Sequence, residues 1–256
     1  MKLLLKISYL GTNYCGYQVQ PNGVSIQQKL NEAARAVFGF DCDIVGCSRT
    51  DSGVHANEFC ATVAKKKTES IETSIPVERI PLALSSYLPI DICVFAASYV
   101  EDSFHARYDV REKEYLYRFY NRSVRSPFEE GRSAHIPKVL DDEALVQMNL
   151  AAQTLCGTKD FSAYMAQGSS VKSTVRTVTR ADVYRDGDCI VFRVAADGFL
   201  YNMVRILAGT LLLVGQGKLT PKEFQAITEG RDRAMAGSTM PACGLYLNRV
   251  FYEKRK

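Results

Sequence analysis

The apolar run at 3–9 reads as a strand. Ser25 then starts a helix, with Gln28 three residues on as its capping-box partner. Ile26, Leu30, Ala33, Ala34, Val37 and Phe38 mark one helical face, and Gly39 closes it. Two strands are expected around 42–47 and 59–64, a short helix near 77–87 and a strand at 92–99. The order is β-α-β-β-α-β.

The second half repeats that order. Tyr115, Tyr117 and Phe119 alternate as a strand. Asp141 or Asp142 caps a helix carrying Leu145, Met148, Ala152 and Leu155, which Gly157 is expected to stop. Runs at 175–184 and 190–195 flank Asp186-Gly187, a hairpin signal. A long apolar helix is predicted at about 200–214, a shorter one after Pro221, and a last strand at 245–251. Two copies of a split β-α-β pattern predict an α+β fold of two ferredoxin-like halves with antiparallel sheets. The join falls near 100–112, giving an N-terminal half of 1–106 and a C-terminal half of 107–256.

Composition adds a globular core and a localised charge. The chain has 256 residues, 46% hydrophobic and 23% charged, with a net charge of +4. Residues 105–125 carry Arg107, Arg111, Lys113, Arg118, Arg122 and Arg125 against three acids; residues 171–185 carry Lys172, Arg176, Arg180 and Arg185 against Asp182. Each stretch is net +3, so the remainder is net −2. Two basic stretches on a near-neutral background suggest a polyanion site, although such runs also form ordinary solvated strand faces. The eight cysteines are scattered, with no CxxC, as expected of buried thiols in a reducing compartment. No leader-like or membrane-length apolar run is present, so a cytoplasmic location is expected.

The candidate chemistry centres on Asp51, within Gly46-Cys47-Ser48-Arg49-Thr50-Asp51-Ser52-Gly53-Val54-His55-Ala56. An acid among Arg, Thr, Ser and Gly suits a tight loop that projects a carboxylate into a cleft. Arg205 is the one charge in the apolar segment 199–217. It either snorkels to a wet helix edge or meets a carboxylate from elsewhere in the chain, which would hold that acid ionised. Tyr115 and its strand neighbours are core candidates that also suit stacking on a base. The three histidines have no metal-ligand spacing, and there is no Walker loop, GxGxxG segment or GxSxG elbow. Asp51-Ser52-Gly53 also matches the D-[ST]-G triplet of aspartic proteases, but those need two such carboxylates, and the chain has one DSG in an α/β pattern. A non-catalytic RNA-binding module on the same duplicated fold is the other alternative, without the RNP1 pattern that would support it.

Arg49-Thr50-Asp51-Ser52-Gly53-Val54-His55-Ala56 resembles the RTD-x-GVHA signature of the tRNA pseudouridine synthase A family. Supporting segments follow in order: 9–18 (YLGTNYCGYQ), 25–28 (SIQQ), 104–107 (FHAR), Tyr115 before an aromatic strand, 203–205 (MVR) and 244–247 (GLYL). The resemblance spans essentially the whole chain. It implies a homodimeric enzyme that isomerises uridine to pseudouridine in the anticodon stem-loop of tRNA, in a cleft between the halves, without cofactor or metal. By matching position, Asp51 is the nucleophile, Tyr115 stacks on the target uracil, and Arg205 partners the aspartate. Arg49 helps extrude or replace the flipped base, and His55 and Arg107 join the substrate-binding set. Ser48 stands where the family usually has Gly, Ser52 where it usually has Ala, and Tyr17 where Trp is common.

Overall fold

The computed structural model describes residues 1–68, 70–168 and 171–253. They form an α+β protein of two compact units, Met1–Arg111 with Leu247–Lys256, and Glu112–Tyr246.

In the first unit, strand β1 (Lys2–Tyr9) buries every second residue, Leu3, Leu5, Ile7 and Tyr9. That alternation places four apolar side chains on one sheet face. Helix α1 (Ile26–Phe38) covers it with Ile26, Leu30, Ala33 and Ala34. Ser25 accepts from the Gln28 N–H, and Gly39 closes the helix at φ 76°. The reciprocal half of the expected capping box is not made, because the Gln28 amide turns forward to Glu32 at 2.9 Å. Strand β2 (Cys42–Gly46) pairs with β3 (His55–Lys65), β3 with β1, and β1 with β4 (Ile92–Val100), all antiparallel. The segment expected as one helix at 77–87 is a 3-10 turn, Val77–Arg79, leading into the short α2 (Ile80–Ser85), which has Pro81 in its first turn. Proline is tolerated there because the first helical N–H groups have no intrahelical acceptor.

In the second unit, strands β5 (Glu112–Tyr120), β9 (Cys189–Ala196), β8 (Val175–Asp186) and β7 (Gly157–Asp160) lie side by side in that order, each pair antiparallel. The short β6 (Ala134–His135) runs parallel beside β5. The β8–β9 hairpin turns at Gly187-Asp188, one residue on from the expected pair: Asp186 ends β8 opposite Cys189, and Gly187 has φ 56°. Helix α3 (Asp142–Gln153) is capped by Asp141 and ends at Thr154. Gly157 therefore does not stop it. Gly157 opens β7 instead, at φ 103°, where a side chain would be strained. Helix α4 (Met203–Gly215) is apolar nearly all round and correspondingly buried. Helix α5 (Pro221–Gly230) starts with a complete Thr220–Glu223 capping box. The last strand, β10 (Leu245–Phe251), starts in this unit and passes at Leu247 into the first.

All eight cysteines are thiols, but only Cys47, Cys60 and Cys189 are buried. Among the described residues no helix is long and apolar enough to cross a membrane.

Candidate active site

Asp51 lies on the loop between β2 and β3, half-buried. Its carbonyl accepts from the Val54 N–H at 3.2 Å, closing a turn in which Gly53 has φ 77°. Both neighbours are fastened to segment 9–17. The Thr50 hydroxyl meets the Tyr9 phenol at 2.8 Å, and the Thr50 carbonyl accepts from the Tyr17 N–H at 3.1 Å. On the other side the Ser52 hydroxyl donates to the Tyr14 carbonyl at 3.1 Å.

Two glycines make this close approach feasible. A Cβ on Gly11 would stand 2.0 Å from the Val54 carbonyl oxygen, and one on Gly16 would stand 2.6 Å from that of Thr50. Gly16 also has φ +98°. Neither position accepts a side chain without moving the Asp51 turn. Asp91 anchors the supporting segment from below. It accepts from the Tyr14 hydroxyl at 2.5 Å and the Asn13 amide at 3.1 Å, and its carbonyl accepts from the Leu10 N–H at 2.9 Å. Burial, then the Asp91 carboxylate, push the Tyr14 phenol well above its ordinary pKa, so it stays a hydrogen-bond donor.

His55 begins β3 and has no exposed surface. Its Nδ1 accepts from the Gly11 N–H at 2.9 Å. It therefore ties the end of the Asp51 turn to the supporting segment. Arg49 and Arg107 are both exposed and line one cleft of about 250 Å³ in the first unit. Tyr17 lines it too, with its ring stacked on Phe59 at 4.2 Å. Gly46 leaves room for these rings, since a Cβ there would come within 2.6 Å of Tyr17 and 2.7 Å of Phe59.

Tyr115 and Arg205 belong to the second unit. Tyr115 retains 8% of its surface on β5, opposite Val194, with its ring edge-on to Phe199 at 5.0 Å and 79°. Arg205, half-buried on the first turn of α4, is held by two fixed contacts. Its Nε donates to the Met240 carbonyl at 2.7 Å and its Nη1 to the Asn202 side chain at 2.8 Å. Asn202 sits in the left-handed region at φ 59°. A backbone carbonyl and an amide side chain thus anchor the lone helix charge.

The basic stretches divide into structural and uncommitted cations. Arg118 pairs with Asp186 at 3.1 Å, and Arg180 and Arg193 share Asp182, each at 2.8 Å. Arg185 donates to the Leu140 carbonyl. Among the described residues the Arg107 guanidinium makes no hydrogen bond or ion pair, and lies 6.0 Å from the Tyr108 ring centre. Among those residues no group of three or more His, Cys, Asp or Glu side chains is placed to hold a metal ion. Sequence reasoning passed over Tyr9, Tyr14 and Asp91 as supports of the Asp51 turn. The glycines of segment 9–17 were the available signal for the first two; nothing local marks Asp91.

Comparison with known proteins shows the family. A family model described as tRNA pseudouridine synthase matches residues 151–253. The tRNA pseudouridine synthase A of Thermoanaerobacter sp. (strain X514) is 45% identical over 98% of this chain and 99% of its own. The proteins of the same name from Acetivibrio thermocellus and Clostridium acetobutylicum are 43% and 40% identical, each over 97% of this chain and 98% of theirs. With such identity over almost its whole length, the chain belongs to the tRNA pseudouridine synthase A family of isomerases.

Proposed function

We propose that this protein converts uridine to pseudouridine in the anticodon stem-loop of tRNA, with Asp51 as the nucleophile. The observation that carries the reading is the Asp51 turn itself. The residues on either side of the carboxylate are bonded to segment 9–17, and the acid between them stays half-buried. A group positioned this way loses little freedom on reaching its target.

The chemistry asks for little more. The C1′–N1 bond of the uridine breaks and a C1′–C5 bond forms, while C5 loses a proton and N1 gains one. No water, electron or cofactor enters that balance, so one carboxylate serves where glycoside hydrolysis uses two. Charge develops on the ribose or the base as the bond breaks, and an ionised aspartate stabilises it or forms the adduct. In this reading Arg205 keeps Asp51 ionised, as the family resemblance implies; its guanidinium is itself held by Met240 and Asn202. Tyr115 stacks on the extruded uracil, its ring held edge-on by Phe199. Arg49 and Arg107 contact the RNA, and His55 acts through the turn it fastens. A homodimer in the cytoplasm completes the reading.

The same reading makes each unit a ferredoxin-like half. In the first, the pairings β4–β1, β1–β3 and β3–β2, all antiparallel, support it; in the second, β5–β9 and β9–β8 do. The test is reaction of the purified protein with unmodified tRNA transcripts, followed by mapping of pseudouridine at nucleotide resolution. Product in the anticodon arm with wild type and none with Asp51→Asn is the expected pair of results. Product at another site, or undiminished product with the variant, overturns the reading.

A further inference from the structure

The cleft beside the Asp51 turn is built for more than the target base. Arg49 and Arg107 line it, and none of its lining residues is an aspartate or glutamate. Two guanidiniums on an acid-free cleft create a positive site that favours an anion. Its volume of about 250 Å³ lies below the roughly 300–1,000 Å³ of clefts that enclose a drug-sized ligand. That suits one ring system with a charged group at the rim.

The aromatic part is present and fixed. Tyr108 is 76% exposed, unusual for so large a ring, and it packs on His105 at 4.2 Å and 32°. The turn that carries them is held from within. His105 Nδ1 accepts from the N–H groups of Arg107 and Tyr108 at 3.1 and 3.2 Å. The His105 N–H donates to the Asp109 carboxylate at 2.8 Å, and the Asp109 N–H donates back to the His105 carbonyl at 3.1 Å. The Arg107 guanidinium is 6.0 Å from the Tyr108 ring centre, the outer limit of a cation–π contact. Opposite, the Gln27 amide is engaged by the Val19 N–H and the Ile44 carbonyl. The Gln18 amide has no such partner among the described residues and is available to a base edge.

We propose that this cleft seats one nucleotide of the substrate RNA other than the target uridine. Its base lies on Tyr108, with an edge toward Gln18, and its phosphate is neutralised by Arg107 and Arg49. The inference rests on the pseudouridine synthase reading for the identity of the RNA. Arg49 precedes Asp51 by two residues, so their Cα atoms are at most about 7 Å apart. The seated nucleotide is therefore a near neighbour of the target in the strand. Such a seat would fix the register of the RNA and so help choose which uridine is presented.

The experiment pairs protein variants with a panel of tRNA transcripts, each carrying one abasic site near the target. Affinity and single-turnover pseudouridine formation are measured for wild type, Tyr108→Ala, Tyr108→Phe and Arg107→Ala, with thermal melts as the folding control. For wild type, one abasic position should weaken binding by about 5- to 150-fold, the range of a single base–aromatic stack. Tyr108→Ala should show the same loss on intact RNA and no further loss on that abasic transcript, while Tyr108→Phe stays near wild type. Multiplied losses at every abasic position, or Tyr108→Ala within twofold of wild type on intact RNA, overturn the proposal. If only Arg107→Ala weakens binding, the cleft holds a phosphate alone and the base seat is refuted. The affinity readings decide the matter even if wild type forms no pseudouridine, a result that would instead sink the functional reading.

Discussion

The Tyr9 phenol and the Thr50 hydroxyl meet at 2.8 Å in the buried part of the first unit, and the bond fixes the residue before Asp51. It joins β1 to the Asp51 loop across 41 positions of sequence. Thr50→Val keeps the shape and removes the hydroxyl, depriving the buried Tyr9 phenol of this partner. The expected cost is about 1–3 kcal/mol of stability, with turnover falling more than RNA affinity. Tyr9→Phe with Thr50→Val should recover part of the stability. A double-mutant cycle in urea checks this, and strict additivity of the two changes would count against the bond.

Asp51→Asn is expected to abolish pseudouridine formation while the melting temperature and most of the RNA affinity remain. The amide fits the space, and the turn is held by Thr50, Ser52 and Val54 rather than by the carboxylate alone. A neutral amide is no nucleophile. Single-turnover assays on tRNA transcripts decide it; residual turnover within about tenfold of wild type would remove Asp51 from the nucleophile's role.

Tyr17→Phe should stabilise the protein, by an amount on the order of 1 kcal/mol. Tyr17 is 3% exposed, and its hydroxyl has no hydrogen-bond partner among the described residues. Removing an unsatisfied buried hydroxyl relieves its desolvation cost and keeps the stack on Phe59. A lower melting temperature for the variant would mean that the hydroxyl is satisfied after all.

Much of this frame is legible in the sequence because the signals are local. The Ser25 cap and Gly39 bound α1, Asp186-Gly187 marks the hairpin, and Thr220-Pro221 opens α5. The Asp51 loop is legible for a similar reason, since its polar and small residues are contiguous. What escapes is long-range. β3 reaches back to His55, well before the expected start at 59, because Tyr9 pairs with Ala56 past a bulge that places two β3 residues against one of β1. Asp91 reaches Tyr14 over 77 positions, and no local pattern announces that. The burial of His55 and its bond from Gly11 are tertiary facts that its motif does not announce. Gly157 looks like a helix stop, yet its positive φ serves the start of β7.

The shared pair on Asp182 gives a pH dependence with a definite sign. Burial alone would raise the Asp182 pKa, but hydrogen bonds from Arg193 and Arg180 outweigh it and hold the carboxyl below its ordinary value. A depressed folded-state pKa contributes stability that is present above the unfolded pKa of about 3.9 and lost as pH falls through the folded value. Asp182→Asn should therefore be less stable than wild type at pH 7, with the gap closing in acid below about pH 4. Urea unfolding at the two pH values tests it. A gap that stays constant between them would assign the effect of the substitution to packing.

The last expectation concerns how Arg205 is held. Its Nε and Nη1 have separate acceptors, the Met240 carbonyl and the Asn202 side chain, at 2.7 and 2.8 Å. A guanidinium reaches two such acceptors in fixed directions; an ammonium at the end of a flexible stem does not reproduce the fork. Arg205→Lys should thus keep the positive charge and still lose activity, on the order of 10²-fold if the cation must sit within about 1 Å of its working position. Arg205→Ala should lose at least as much. Asn202→Ala, which frees only Nη1, should fall between Arg205→Lys and wild type, with kcat reduced and KM little changed. The left-handed backbone at Asn202 complicates that variant, so Asn202→Gly, which accepts the same φ, serves as its control. If Arg205→Lys turns over as fast as wild type, charge alone suffices and the two anchors serve only to secure the start of α4. If Arg205→Ala also matches wild type, Arg205 has no part in the reaction.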